Sequence, residues 1–337
     1  MDTTLQALID YSQGASLPFT EEFRVDDNVL SKFPKNTKVL SARLVVFSEE
    51  WYFLKSAPEN HGRRMMEGEF CAMSEIYKWA PDLVPKPHSW GKYATKDLDA
   101  YFFLSEYVDM NESLPAPNQL CAKLAHLHRE SRSPNGQFVF HVTTCQGRVP
   151  QQVSWEKSWT RFFTRLLKNV IQLDSSVNDH WEELNQLEEQ LISTVIPRLL
   201  DVLVEGGRTI KPSLIHADLW EGNSGTASKN GNVVIFDSAA FYAHNEMEVG
   251  DWRCYYNKIS NPAYTNAYLC HHGPSDPEEE WDDRNRLYSR YLLQRYLFRQ
   301  PSWTGKSCTS TEDYSPIQKL THVEKAVNKC LRLAGFT

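Results

Sequence analysis

Two short apolar segments that each end in an aspartate constrain the possible folds of this chain more than any other feature. One runs from Ser213 to Asp218 and the other from Asn232 to Asp237. Between them, Gly222, Gly225, Asn230 and Gly231 favour turns. The pattern predicts two short strands that bring the two carboxylates to one place in the fold.

Strand patterns dominate the first third of the chain. Residues 39–47 and 51–55 are rich in β-branched and aromatic side chains and are separated by three polar residues, which predicts a hairpin. Residues 64–79 carry apolar side chains at helical spacing, and residues 101–108 read as a further aromatic strand. We therefore expect residues 1–108 to form a small antiparallel β-lobe with one main helix.

The remainder of the chain is mainly helical in pattern. Residues 119–128, 159–173 and 181–203 repeat apolar side chains with a helical period. No internal repeat and no long linker separates these segments. The expected fold is α+β, with the β-lobe leading into a larger, mostly α-helical lobe at residues 109–337.

Composition argues against several classes of function. A net charge of -7 over 337 residues is unlike a nucleic-acid binder, which usually carries a basic patch. The N-terminus lacks the pattern of a secretory signal, and the most apolar stretch, residues 191–204, is too short to cross a bilayer. Seven widely spaced cysteines without a C-x-x-C pair are typical of reduced thiols. We expect a cytoplasmic protein that binds neither nucleic acid nor membranes, and the sequence indicates no oligomeric state.

The residue types around the two aspartates match the needs of phosphoryl transfer. That reaction uses a carboxylate that orients or deprotonates the attacking hydroxyl, and oxygen ligands that hold Mg²⁺ against the phosphates of ATP. Asp218 suits the role of catalytic base. Asn223, five residues later, and Asp237 suit the role of metal ligands. In the alternative interpretation, the aspartates only close strands and His216 is a buried imidazole.

A kinase site also needs a cation on the phosphates and a hinge for the adenine. Lys55 ends a predicted strand and Glu69 lies in the helix that follows, in the order that kinases use for this ion pair. Either residue alone would be an ordinary surface charge. Glu106, Tyr107 and Val108, at the end of the third strand, are the predicted adenine-binding hinge, unless that strand simply leaves the core.

The sequence resembles the fructosamine 3-kinase and ribulosamine 3-kinase family, within the protein-kinase-like, aminoglycoside phosphotransferase superfamily. The two most specific segments are Phe140 to Cys145 and the run Asp218-Leu219-Trp220-Glu221-Gly222-Asn223. Further matching segments, which spread the resemblance over most of the chain, are Tyr52–Lys55, Met66–Glu69, Val84–Pro87, Leu104–Tyr107, Leu124–His128, Leu214–Trp220, Ile235–Asp237 and Ala239–Glu246.

The resemblance implies a two-lobed protein-kinase-like fold and a defined reaction. The family phosphorylates the 3-hydroxyl of a ketosamine, a sugar adduct on lysine or another amine, with ATP and Mg²⁺. The phosphorylated adduct then decomposes and frees the amine. The resemblance gives the same roles to the residues named above, and it places Trp220, Glu221 and His216 on the acceptor side. Trp220 has an alternative role in core packing.

Four departures from the family pattern bear on substrate binding. No glycine occurs between Glu21 and Lys55, where the family commonly has a glycine-containing loop over the phosphates. Ala217 and Ser238 stand where glycine and proline are usual. Glu221 stands where serine is common, and its carboxylate would repel an anionic acceptor or recruit a cationic one.

Two other functions remain open from the sequence. A kinase of the same fold could phosphorylate a different small alcohol or an amine-bearing metabolite. A pseudokinase could bind ligands without turnover, which the glycine-free segment ahead of Lys55 would favour.

Overall fold

The N-terminal lobe is built on one six-stranded antiparallel sheet. The computed structural model describes residues 12–13, 24–26, 41–47, 50–92, 100–111, 113–147, 149–151, 153–176, 182–254 and 257–298. The strands of the sheet are β1 (Ser12–Gln13), β2 (Arg24–Asp26), β3 (Ser41–Phe47), β4 (Glu50–Pro58), β5 (Pro87–Lys92) and β6 (Ala100–Glu106). Their order across the sheet is β1-β5-β6-β4-β3-β2.

The predicted hairpin is present as β3 and β4. The first two residues of the predicted hairpin, 39–40, and the turn residues 48–49 lie outside the described residues. Strand β4 continues to Pro58, so the prediction that the strand ends at Lys55 is wrong. The strand is longer because it pairs with β3 on one side and with β6 on the other, so that Lys55 lies opposite Ala42 and Phe103.

Helix α1, Glu59–Trp79, packs its apolar face into the core. Met66, Met73 and Ile76 on this face are at most 1% exposed. The helix ends at the predicted residue but begins five residues before Arg64. The polar first turn carries no apolar repeat, so the sequence pattern could not reveal it.

Two small sheets organise the centre of the second lobe. Their strands are β7 (Met110–Asn111), β10 (Ser213–Ile215), β11 (Ser224–Ala227), β12 (Val233–Ile235) and β13 (Phe241–Ala243). Strand β11 pairs with β7 and β12, whereas β10 pairs with β13. The two strands predicted before Asp218 and Asp237 are therefore β10 and β12, which belong to different sheets. A two-stranded hairpin, β8 (Cys145–Gln146) with β9 (Val149–Pro150), lies apart from both.

Helices form the rest of the second lobe. They are α2 (Pro117–Glu130), α3 (Trp159–Ser175), α4 (Glu182–Gln190), α5 (Ile196–Leu200), α6 (Pro262–His272) and α7 (Trp281–Phe298). Helices α2 and α3 match the predicted segments 119–128 and 159–173 to within two residues at each end. The division of the chain into lobes at residue 108 stays a prediction.

The single helix predicted over residues 181–203 is wrong. Residue 181 lies outside the described part of the chain, and the segment after it is α4, a π-helical turn at Leu191–Val195, α5, and a 3₁₀ segment at Val202–Gly207. Pro197 has no N–H to donate and its ring crowds the carbonyl four residues earlier. The π turn immediately before it accommodates that missing bond.

Buried apolar side chains of both lobes form one cluster that extends from Ala57 to Tyr291. Within the described residues, no helix has the length and apolar character needed to cross a bilayer.

Candidate active site

Lys55 connects helix α1 to the segment that follows β12. Its Nζ lies 2.7 Å from Oε2 of Glu69 and 2.6 Å from Oδ1 of Asp237. Lys55 and Glu69 are only 5% and 7% exposed. The side chain of Asp237 is 41% exposed, so this carboxylate lies at the open edge of the cluster.

The charges of this cluster depend on one another. Burial by itself lowers the pKa of Lys55, but the carboxylates of Asp237 and Glu69 outweigh burial and raise that pKa, so the ammonium stays charged. Burial also raises the pKa of Glu69 to about 7, because Lys55 only partly offsets it and the charge of Asp237 adds to it. One buried cation shared by two carboxylates favours a cationic partner for Asp237 on its exposed side.

Glu248 anchors the loop between β10 and β11, which carries the predicted base. Its carboxylate accepts a hydrogen bond from the backbone N–H of His216 and another, at 3.0 Å, from the N–H of Ala217. Trp252 adds a third anchor by donating its indole N–H to the carbonyl of Leu219 at 3.1 Å. Glu248 is 3% exposed, so these bonds form in a water-excluded environment.

His216 belongs to the framework of this loop. Its Nδ1 accepts from the N–H of Asp218 at 3.3 Å, and its Nε2 lies 3.0 Å from the carbonyl of Phe236. With Nδ1 as the acceptor, Nε2 is the ring nitrogen that donates to the carbonyl of Phe236. His216 has no exposed surface and connects the two aspartate-bearing segments, while its placement on the acceptor side stays a prediction.

The carboxylate of Asp218 is held by two side-chain amides. Nε2 of Gln146 lies 2.6 Å from Oδ1, and Nδ2 of Asn223 lies 3.3 Å from Oδ2. Asn223 also donates to the backbone carbonyl of Asp218 at 2.8 Å. The orientation of this carboxylate is thus set by Gln146 at one oxygen and by Asn223 at the other.

Two residues of the site adopt left-handed backbone conformations. Ala217 has φ of 64° and Asp237 has φ of 57°. Aspartate tolerates this region better than most residues, whereas alanine pays a steric penalty of about 1 kcal/mol or more there. The glycine that the family resemblance predicts at position 217 would adopt the same φ without strain.

Ser238 ties the two aspartate-bearing segments together. Its hydroxyl donates to the carbonyl of His216 at 3.1 Å and accepts from the N–H of Ala240 at 3.1 Å. Serine therefore provides a direct bond to the loop of Asp218, which the proline usual at this position could not form.

The donor set at Asn223 and Asp237 fits a magnesium ion. The amide nitrogen of Asn223 is engaged by two oxygen atoms of Asp218, which directs its Oδ1 away from that residue. Asp237 is partly exposed, and it lies near Asn223 because the N–H of the preceding Phe236 donates to the carbonyl of Asn223 at 3.0 Å. One amide oxygen and one carboxylate are ligands suited to a hard cation that keeps several waters.

The predicted hinge leaves the sheet at the end of β6. The N–H of Glu106 donates to the carbonyl of Lys86 at 2.8 Å, and that of Tyr107 donates to the carbonyl of Trp51 at 3.4 Å. Glu106 also accepts from the N–H of Lys86 through its side chain at 3.1 Å. Two of the three hinge N–H groups are thus used within the sheet, which makes the N–H of Val108 the candidate donor to an adenine.

Trp220 and Glu221 lie on the outer side of the loop and are half-buried. Oε2 of Glu221 accepts from the N–H of Lys258 at 2.9 Å, so the carboxylate contacts the chain beyond Trp252. The indole of Trp220 covers Gly222, where an added Cβ would come within 2.5 Å of the ring. The glycine is required there because the indole leaves no room for a side chain.

Comparison with known proteins identifies the family. The model of the fructosamine kinase family matches residues 35–301, which is most of the chain. The protein belongs to the fructosamine kinase family. Its members are kinases, so this family member is a phosphotransferase enzyme.

Named relatives agree with that assignment. The chain is 29% identical to the chloroplastic protein-ribulosamine 3-kinase of Arabidopsis thaliana over 256 residues, which cover 75% of this chain and 73% of the relative. It is 31% identical to the corresponding enzyme of Oryza sativa subsp. japonica, with 75% and 69% covered. It is 30% identical to the ketosamine-3-kinase of Mus musculus, with 58% and 67% covered.

Solved structures confirm the protein-kinase-like fold of this family member. A protein assigned as a fructosamine-3-kinase from Haemophilus somnus superposes with a TM-score of 0.66 at 15% identity, covering 98% of this chain and 95% of that one. The aminoglycoside phosphotransferase APH(4)-Ia superposes with a TM-score of 0.54 at 15% identity, covering 99% and 98%. At these identities the likeness concerns the fold alone.

Sequence reasoning found the charged residues of the site but not its supports. The structure brings Lys55, Glu69 and Asp237 into direct contact, and Asp218 into contact with Asn223. Gln146, Glu248 and Trp252 were not predicted. The only signal for Glu248 was its position, two residues beyond the matching segment Ala239–Glu246. Its hydrogen-bond partners are distant in sequence.

Proposed function

We propose that this kinase transfers the γ-phosphoryl group of ATP to the 3-hydroxyl of a ketosamine. The family assignment and the names of the ribulosamine and ketosamine kinases support this reaction. Phosphorylation at that position destabilises the adduct and releases the amine, which makes the reaction a step of deglycation.

Asp218 is the proposed catalytic base. Its carboxylate accepts the proton of the 3-hydroxyl while the oxygen attacks the γ-phosphorus, and the bond from the γ-phosphorus to the bridging oxygen of ADP breaks. The amides of Gln146 and Asn223 hold this carboxylate at 2.6 and 3.3 Å. A fixed carboxylate contributes because the hydroxyl meets it in a reactive orientation.

Lys55 is the proposed phosphate-binding cation. In the structure its ammonium bonds to Asp237 and Glu69, and it would exchange the contact with Asp237 for phosphate oxygens while Glu69 retains it. Asn223 and Asp237 would hold Mg²⁺, which neutralises charge on the phosphates when it is bound. A nucleotide complex of APH(4)-Ia with AMP-PNP, whose TM-score to this chain is 0.51, is consistent with ATP as the donor.

Adenine recognition is assigned to the hinge. The carbonyl of Glu106 and the N–H of Val108 would bond to the adenine edge, with Tyr107 between them. The glycine-free segment ahead of β4 is largely outside the described residues, so its effect on phosphate binding stays a prediction.

The acceptor side is assigned to Trp220 and Glu221. The amine nitrogen of a ketosamine is protonated at neutral pH, and the carboxylates of Glu221 and Asp218 provide a negative environment for it. A ketosamine whose nitrogen is acylated, and therefore neutral, tests this assignment. Glu221→Ser should lower kcat/KM for the cationic acceptor while leaving the neutral one unchanged; equal losses would contradict the charge argument.

The observation that carries the proposal is the assembled Lys55–Glu69–Asp237 cluster beside a loop that holds both Asp218 and Asn223. A pseudokinase typically lacks one of these groups. The test is ADP formation from ATP and magnesium with fructosyl-, ribulosyl- and erythrulosyl-amines, with reactions lacking the protein as the blank and Asp218→Asn expected to keep only a small residual rate. Phosphorylation at the 3-hydroxyl, located by NMR, is expected. Absence of transfer together with no ATP-induced rise in Tm would favour the pseudokinase alternative, and transfer only to other alcohols would favour a different acceptor.

A further inference from the structure

The β8–β9 hairpin reaches the catalytic carboxylate from outside the loop that carries it. Gln146, the last residue of β8, is 5% exposed and lies 2.6 Å from Oδ1 of Asp218 through its Nε2. An ionised carboxylate can only accept hydrogen bonds, so the atom facing it is the amide N–H₂ group. The contact is a short bond between a neutral donor and an anionic acceptor, which is among the stronger kinds of hydrogen bond.

The hairpin is fixed independently of this bond. The hydroxyl of Thr144 donates to the carbonyl of Ala239 at 3.0 Å, and the N–H of Gln151 donates to the carbonyl of Thr144 at 2.8 Å. On the other side, the hairpin approaches helix α1 so closely that a Cβ on Gly68 would meet the carbonyl oxygen of Thr143 at 2.5 Å. The position of Gln146 is therefore set by the core of the second lobe and by helix α1.

Gln146 and Asn223 act on different oxygen atoms of the carboxylate. Gln146 bonds to Oδ1 at 2.6 Å and Asn223 to Oδ2 at 3.3 Å. Two donors on opposite oxygens restrict rotation of the carboxylate about its own axis. Each oxygen has a second lone pair, so one of them can still accept the hydroxyl of the acceptor.

We infer that Gln146 is a positioning residue that holds the carboxylate of Asp218 in the orientation that receives the acceptor hydroxyl. The inference rests on the proposed role of Asp218. It also predicts that Gln146 affects the chemical step more than the binding of either substrate, since it acts on a group that matters most in the transition state.

The first test is a series of variants of nearly equal volume. Gln146→Met removes the donor and Gln146→Glu replaces it with a negative charge beside Asp218. We expect kcat to fall about tenfold or more in the methionine variant and further in the glutamate variant, while the KM for ATP changes less than about twofold. Gln186→Met is the matched control: the amide of Gln186 donates to the carboxylate of Glu182 within helix α4 at 3.2 Å, so kcat should stay at the parent value.

The second test is a double-mutant cycle. If Gln146 acts through Asp218, Gln146→Met should cause no further loss in an Asp218→Asn background, because the group that it positions is already gone. If the factors by which Gln146→Met and Asp218→Asn lower kcat multiply in the double variant, the inference is overturned. It is also overturned if kcat is unchanged in both Gln146→Met and Gln146→Glu. Circular dichroism and Tm verify that each variant is folded.

Slow hydrolysis of ATP separates this inference from the proposed acceptor. Water replaces the sugar hydroxyl in that reaction and needs the same oriented carboxylate. If no ketosamine is phosphorylated by the parent protein, the acceptor assignment fails, but the cycle measured by hydrolysis still decides the role of Gln146. Losses of activation free energy that do not add in the double variant support the role of Gln146, and losses that add reject it.

Discussion

The phenol of Tyr242 donates a hydrogen bond to Oε1 of Glu75 at 2.9 Å, across 167 residues of sequence. Tyr242 lies in β13 of the second lobe, and Glu75 lies in helix α1 of the first. Glu75 also accepts from the indole N–H of Trp79 at 2.9 Å. The bond from Tyr242 to Glu75 fixes the helix that also carries Glu69. The ion pair of Glu69 with Lys55 is therefore supported from the second lobe.

Tyr242→Phe should weaken both folding and ATP binding. The bond runs to a carboxylate, so we expect a loss of about 1.5 to 3 kcal/mol in the free energy of unfolding, measured by urea denaturation. The KM for ATP should rise because helix α1 loses a contact near Glu69. Tyr264→Phe is the control, since Tyr264 donates to the neutral carbonyl of Pro115 at 2.7 Å, away from that helix. An equal change of KM in both variants would contradict this role.

Glu69→Gln should remove part of the pH dependence of stability in the absence of ATP and magnesium. Burial raises the pKa of Glu69 from 4.5 to about 7, so between these values the folded state holds a proton that the unfolded state has released. The stabilising contribution is complete below pH 4.5 and is lost as the pH rises through about 7. It amounts to about 3 kcal/mol. Plotted against pH, the free energies of unfolding of parent and variant should differ in slope between pH 4.5 and about 7 and run parallel outside that range. Parallel plots throughout would contradict the prediction.

His244→Gln should reduce the loss of stability in acid. Burial lowers the pKa of His244 from 6.5 to about 4, while its ring nitrogens bond to Tyr288 at 2.8 Å and Ser275 at 2.9 Å. A depressed pKa means that the stability is present above pH 6.5 and is lost as the pH falls through about 4. The contribution is about 3 kcal/mol. Free energies of unfolding at pH 4 and pH 7 measure most of it. The exposed His126→Gln serves as the control and should follow the parent at both values.

Glu248→Gln should lower kcat, although Glu248 acts on the loop of Asp218 and not on a substrate. The amide provides one acceptor oxygen where the carboxylate provides two, so one of the N–H groups of His216 and Ala217 loses its partner. We expect a loss of about 1 to 3 kcal/mol of stability and a fall in kcat of about tenfold from displacement of Asp218. Glu188→Gln is a matched buried control, because Glu188 pairs with Arg290 at 3.3 Å elsewhere in the lobe. If both variants lower kcat equally, the anchor has no specific role.

Local patterns predicted the elements well where apolar residues repeat. Helix α3 follows the prediction because Phe162, Phe163 and Leu166 recur on one buried face, and it begins at Trp159 because the hydroxyl of Ser158 caps it. The pattern failed at residues 181–203, where the apolar residues continue although a π turn at Leu191–Val195 interrupts the α-helix ahead of Pro197. Periodicity reports which residues are buried and not how the backbone bonds are arranged.

The sequence by itself determined which residue types are available to the proposed site. Two aspartates and an amide at fixed spacing, with a lysine and a glutamate before them, are the groups proposed for phosphoryl transfer. Only the tertiary structure decided how these groups are held. Gln146 meets Asp218 across 72 residues, and Glu248 meets His216 across 32 residues. Such contacts depend on the packing of separate elements, and a polar residue carries no local pattern that reveals its distant partner.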